Sequence, residues 1–285
     1  SPMLAFIIPL KSRRVAKSWQ YVTELFERSL KSACNQTSPA FKVIVVSHER
    51  PPVEFDHPAV TYIEADFPSP DSSYVPMMWD KYRKLVAGIH LARKLGASHV
   101  MEVDADDCVS NRLAELVQRN PGLHGWYFDS GYIYRDGTDR VYLKEKEFHR
   151  WCGTCNVVRS DLLNVPENPA GDVSIFSELG HSHLKEKLAA TGFPLEALPF
   201  PGAVYVNTKH GEGTANQKTL LWHLKVYPKG ILHPAKKLFL HWVAATPITE
   251  SISAEFNLYS IEQRKSPQPK VRPAAQNLSP AKKRQ

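Results

Sequence analysis

The strongest constraint in this sequence is an alternation of short apolar runs with stretches of helical periodicity over its first hundred residues. Residues 4–10 (LAFIIPL) and 41–47 (FKVIVVS) are nearly continuous in apolar side chains, and 60–65 (VTYIEA) and 99–104 (HVMEVD) follow. Continuous apolar runs of this length suit strands covered on both faces. After Ser18, a candidate cap, Trp19, Val22, Leu25, Phe26 and Leu30 recur at helical spacing. Residues 77–95 show the same period through Leu85, Ile89 and Leu91, and Gly96 is a suitable stop. A short helix is expected over 111–119. Strands and helices alternating in this way predict an α/β fold, a parallel sheet wrapped by helices. Right-handed crossovers then bring the carboxyl ends of the strands to one edge, where ligands bind. Residues 9–13, 47–49, Asp66 and 104–107 are thereby expected at a single cleft.

Beyond residue 120 the pattern changes. Residues 126–134 and 141–148 read as strands around a turn at Asp136-Gly137, residues 156–163 and 177–190 as helices, and 203–208 as a strand before His210-Gly-Glu-Gly213. No internal repeat or linker is evident before residue 264. The expected organisation is one domain, with a nucleotide-binding half over 3–120 and an acceptor half over 121–263. Residues 264–285 carry four prolines, seven basic residues and no acid. That composition predicts a disordered, solvated tail, with weak contact to an anionic membrane surface or another polyanion as the alternative. The tail accounts for the whole formal charge of +7, so a nucleic-acid-binding body is not expected. No apolar run reaches the roughly 18–20 residues that cross a bilayer. Four cysteines in 285 residues give no disulfide framework, and a reducing cytoplasm is expected.

The chemistry concentrates at Asp104-Ala105-Asp106-Asp107, which closes a buried strand. Carboxylates two apart on an extended chain point the same way, so Asp104 and Asp106 can address one site. Hard oxygen ligands of this kind suit Mg²⁺ or Mn²⁺, which bind substrate phosphates through one or two carboxylates. An Asp at a strand–helix junction is often only a helix cap; that accounts for Asp107 and not for three acids. An EF-hand loop is excluded because its sixth position would be Val109.

With the DxD-type acids at a strand end, preceded by Asp80-Lys-Tyr-Arg-Lys84 and followed by the small-residue segment Cys152-Gly-Thr-Cys-Asn-Val-Val-Arg159, residues 4–210 resemble the GT-A-fold glycosyltransferases, in particular the inverting family 2 class. The resemblance implies a mixed, mainly parallel sheet and transfer of a sugar from a nucleotide-sugar, UDP-linked by preference, to a hydroxyl acceptor. It implies that Pro9, Leu10, Ser12, Arg13, Ser47 and Glu49 hold the nucleoside, that Asp66 approaches the base, and that Lys81 and Lys84 meet the base or diphosphate. Asp104 is then expected near the ribose or the metal, Asp106 on the metal, and His210 as a late third ligand. For the general base the family pattern departs: His181 stands where an acid is usual, with Glu178, His183 and Asp172 as alternatives, and a retaining mechanism follows if none serves. Trp126, Tyr132, Trp151 and Trp222 are candidates for stacking on a sugar. Two other readings remain open: a disulfide oxidoreductase through Cys152 and Cys155, and a nucleotide-binding protein of the same fold without transfer activity.

Overall fold

The computed structural model describes residues 2–174, 180–208 and 243–261. A seven-stranded sheet forms the centre. Four parallel strands, β1 (Leu4–Pro9), β2 (Phe41–Ser47), β3 (Val60–Glu64) and β4 (His99–Glu102), take the spatial order β3-β2-β1-β4. The chain leaves β1 towards one side and returns to the other, so β1 and β4 flank a topological switch point, the position at which open α/β sheets leave a crevice. Helices α1 (Trp19–Cys34) and α2 (Tyr74–Lys94) cover the sheet. Ser18 caps α1 by accepting from the Tyr21 amide at 3.2 Å, and Gly96, with φ of 80°, ends the turn after α2. The expected mixed, mainly parallel sheet flanked by helices is therefore present.

Burial follows the two faces of β1. Leu4, Phe6 and Ile8 pack with Val22, Phe26 and Leu30 of α1 and with α3 (Leu113–Arg119). Ala5 and Ile7 pack on the opposite face with Leu85 and Ile89 of α2 and with α4 (Leu184–Ala190). All five strand side chains are at most 1% exposed, which is why the run carries no polar alternation. Gly88 lets α2 lie close on the sheet, since a Cβ there would sit 2.4 Å from Ile7 Cγ2.

The second part of the chain completes this sheet. β5 (Cys108–Val109) follows the acidic turn, then come β6 (Gly125–Tyr127), β7 (Gly131–Arg135) and β8 (Arg140–Lys144). Residues 156–163, expected as a helix, instead form β9 (Asn156–Arg159) and a 3-10 turn over Ser160–Leu162. Val157 and Val158 are both buried, one on each face of the sheet, a strand pattern that the following polar residues obscure. β9 runs antiparallel between β4 and β6, and β10 (Glu196–Ala197) pairs with β6 at the edge. A smaller sheet of order β12-β8-β7-β11-β5 includes β11 (Ala203–Asn207) and β12 (Thr246–Pro247). It packs on Leu25 of α1 and on α5 (Glu250–Phe256) through Tyr134, Val206 and Phe256. Buried Arg28 of α1 ties these parts together, reaching Asp136 Oδ1 at 3.0 Å and the Tyr259 carbonyl at 2.8 Å. No described helix is long and apolar enough to cross a membrane.

Gly88→Ala is expected to lower stability by about 1–3 kcal/mol through overpacking against Ile7, read as a lower urea midpoint at unchanged slope.

Candidate functional site

The carboxyl ends of β1 and β4 open into a cleft of about 880 Å³ of empty space, including its open mouth. Pro9, Leu10 and Lys11 form one wall; Asp104, Ala105 and Asp106 another; Asp80, Lys81 and Lys84 of α2 a third; Tyr205 and Val206 of β11 close it. The acids are not on an extended strand, as the sequence suggested. β4 stops at Glu102, and the Asp107 amide donates to the Asp104 carbonyl at 3.0 Å, so residues 104–107 form a tight turn. Asp104 and Asp106 nevertheless both line the cleft.

The three acids do different work. Asp107 is buried and is spent on structure: it accepts from the Val206 amide (2.9 Å), from Thr154 Oγ1 (2.7 Å) and from Cys152 Sγ (3.1 Å). Its pKa is lifted well above the usual range by burial, reinforced by Asp106 and Asp104. Thr154 Oγ1 in turn accepts from the Asp104 amide at 2.9 Å, which fixes the turn. Asp104 Oδ1 pairs with Lys81 Nζ at 2.6 Å, and the same ammonium pairs with Glu102 Oε1 at 2.6 Å. Burial opposes the Lys81 charge, but Asp104 and Glu102 outweigh it and hold its pKa well above the ordinary lysine value. Among the described residues Asp106 makes no ion pair as close as that of Asp104. Burial first, then repulsion from Asp104, push it up to about 6 against the pull of Lys11 and Lys81.

Glu102 and Gly153, like Lys11, Thr154 and Tyr205, are site residues that the sequence reading did not single out. Glu102 lies two residues before Asp104, so strand alternation already places it on the same side. Gly153 sits where no side chain fits: a Cβ would lie 2.8 Å from Asp104 Oδ2, 3.1 Å from Glu102 Oε1 and 3.3 Å from Lys81 Nζ.

Other expected residues have other places. Lys84 is 1% exposed and bound to Asp80 Oδ2 (2.6 Å) and the Leu10 carbonyl (2.8 Å), so it pins the end of β1 to α2. Ser12 caps the 3-10 turn Arg13–Val15. Glu49 accepts from the Arg13 amide and from Ser12 Oγ. Ser47 is buried and Asp66 exposed; neither they nor Ser12, Arg13 and Glu49 line the cleft. His181 lines an adjoining cavity with Glu102, Gly153 and Asn156, and its carbonyl accepts from Asn156 Nδ2 at 3.3 Å. Trp126 is buried in the core. Glu178, His210, Trp222 and the basic tail lie outside the described residues.

The disulfide-exchange reading is corrected here. Cys152 and Cys155 are buried free thiols, committed to Asp107 and to the His149 carbonyl. Burial above all, with nearby carboxylates, raises both pKa values well above the ordinary thiol, the opposite of a reactive pair.

A divalent cation fits this turn only in part. Asp104 and Asp106 supply hard oxygens, and the raised pKa of Asp106 marks a charge that a cation would relieve. Among the described residues no three His, Cys, Asp or Glu side chains converge on one point. The donor set therefore suits an ion that shares its coordination with a substrate phosphate, not a closed protein cage.

Folding favours protonated Asp106, so this group costs stability as pH rises from its ordinary value of 3.8 to about 6. Asp106→Asn is expected to raise the melting temperature at pH 7–8, with the gain fading as pH falls through that window; thermal denaturation across pH measures it.

No protein-family profile matches the sequence, and no curated protein matches it. Among solved structures, the chain is similar to S. aureus TarS 1-349 in complex with UDP, at 12% identity and a TM-score of 0.42, over 74% of this chain and 62% of that one. A longer S. aureus TarS chain matches at 13% identity and a TM-score of 0.39, over 72% of this chain and 37% of that one. The 2-C-methyl-D-erythritol 4-phosphate cytidylyltransferase of Francisella tularensis matches at 11% identity and a TM-score of 0.39, over 69% and 89%. The chain thus spans less than two thirds of either TarS chain.

Proposed function

We propose that this chain is a nucleotide-sugar-dependent glycosyltransferase that works with a divalent metal, Mn²⁺ or Mg²⁺, at Asp104 and Asp106. The observation that carries the reading is the placement of the acidic turn. It stands at the switch point between β1 and β4, faces the end of β1 and the Asp80–Lys84 stretch of α2, and brings the carboxylates of Asp104 and Asp106 to the wall of one cleft. That is where an open α/β sheet receives a nucleotide.

In this reading the nucleoside lies along Pro9 and Leu10, and the diphosphate lies between Lys11, Lys81 and the acidic turn. Bound at Asp106 and Asp104, the metal supplies positive charge that stabilises the departing nucleoside diphosphate. Lys11 and Lys81 line the same cleft and add to that positive field. Asp107 and Thr154 keep the turn from yielding when charge develops, because both are held from a second strand or loop. His181 takes the proton of the acceptor hydroxyl, which makes the transfer inverting. It lines a second cavity together with Glu102, whose partner Lys81 lines the cleft, and a neutral imidazole is a competent base near pH 7. Glu178 is the alternative base.

A thermal-shift panel of nucleoside diphosphates with and without Mn²⁺ tests the reading. UDP is expected to raise the melting temperature only with metal present, and Asp106→Ala to abolish the rise. A rise independent of metal, or none with any nucleotide, overturns it.

A further inference from the structure

We propose that Lys81 couples the two ligands of the cleft: its ammonium occupies Asp104 until a diphosphate offers it another anion, so that metal and nucleotide bind together. The inference rests on the metal and nucleotide reading just given and adds an order and a residue to it.

The Lys81 ammonium is 2.6 Å from Asp104 Oδ1 and 2.6 Å from Glu102 Oε1. A divalent ion and an ammonium compete for one carboxylate oxygen, and a dication beside an ammonium is repelled strongly at such distances. The other oxygen of Asp104 faces Gly153, at a point where even a Cβ would come within 2.8 Å. The backbone that carries Asp104 is fixed. Its amide is held by Thr154 Oγ1, its carbonyl by the Asp107 amide, and Asp107 is anchored to β11. What can move is the lysine, a point charge on a flexible four-carbon stem. Glu102 keeps a second hold on that charge, so release from Asp104 does not send Lys81 out of the site.

The direction of movement is set by the cleft. Lys81 already lines it, with 17% of its side chain exposed. A diphosphate lying there carries oxygens enough for both Lys81 and a metal. Once Lys81 has turned to the phosphate, Asp104 Oδ1 becomes a ligand and the ammonium no longer opposes the dication. Among the described residues no third His, Cys, Asp or Glu joins the two acids to displace the lysine unaided. Metal without nucleotide therefore meets an occupied carboxylate.

Mn²⁺ binding, read from the loss of the free-ion electron paramagnetic resonance signal, tests this without any assay of transfer. In the wild-type chain UDP is expected to tighten Mn²⁺ binding by about tenfold or more. Lys81→Met removes the competitor, so Mn²⁺ alone should bind about tenfold tighter than to wild type, and the further tightening by UDP should shrink. Lys81→Gln, which keeps polar contact with both carboxylates without the charge, is the second variant should Lys81→Met fail to fold. Lys81→Arg should behave as wild type. If Mn²⁺ binds wild type with UDP, yet binds the two neutral variants alone no tighter than wild type, the coupling is overturned and the functional reading stands. If Mn²⁺ does not bind wild type even with UDP, both fall.

Discussion

A single buried carboxylate holds the working parts of this molecule in register. Asp107 receives hydrogen bonds from a β11 amide, from Thr154 and from Cys152, and so joins the strand end, the loop before β9 and the smaller sheet. Its position 1% exposed means each bond is made where water cannot substitute for it, and losing one would leave a donor or the acid itself unsatisfied. The turn that displays Asp104 and Asp106 is thus braced from three sides. Cys152 is part of that brace, whereas Cys155 is buried against the His149 carbonyl.

Charge is balanced differently within a few ångströms. Lys81 pairs with both Glu102 and Asp104, leaving that trio net negative, Lys84 pairs with Asp80, and Arg28 pairs with Asp136. Among the described residues Asp106 has no such ion pair, and burial, then repulsion from Asp104, lift its pKa to about 6. Ion pairs thus fix the walls of the cleft, while Glu102, Asp106 and Asp107 remain acids whose pKa burial raises.

Much of the fold was legible because period and burial agree. β1, β2 and β4 are apolar on both faces, α1 carries its cap at Ser18, and α2 ends near Gly96 as its pattern implies. β9 was misread because four residues of strand followed by a polar 3-10 turn look like the start of a helix. The cleft was legible through Asp104, Asp106, Pro9, Leu10 and Lys81, since strand ends identify it. Lys84, Ser12 and Glu49 read as ligand-binding groups; Lys84 lines the cleft while also tying α2 to the end of β1, and Ser12 and Glu49 bond to each other away from it, contacts that only the three-dimensional structure reveals. Gly153 could not be found at all from sequence, because its role is the space it leaves for three charged groups nearly fifty positions or more away.

The antiparallel strand in the middle of the main sheet has a consequence for synthesis and engineering. β9 fills the gap beside β4, so a ribosome-bound chain that has emerged only as far as residue 120 presents β4 with one flank of peptide groups unsatisfied. The sheet closes only when a segment more than fifty residues downstream returns to it, a long-range pairing that slows assembly. Cutting the protein near residue 120 would therefore divide one sheet, and neither fragment would be a self-sufficient module for grafting.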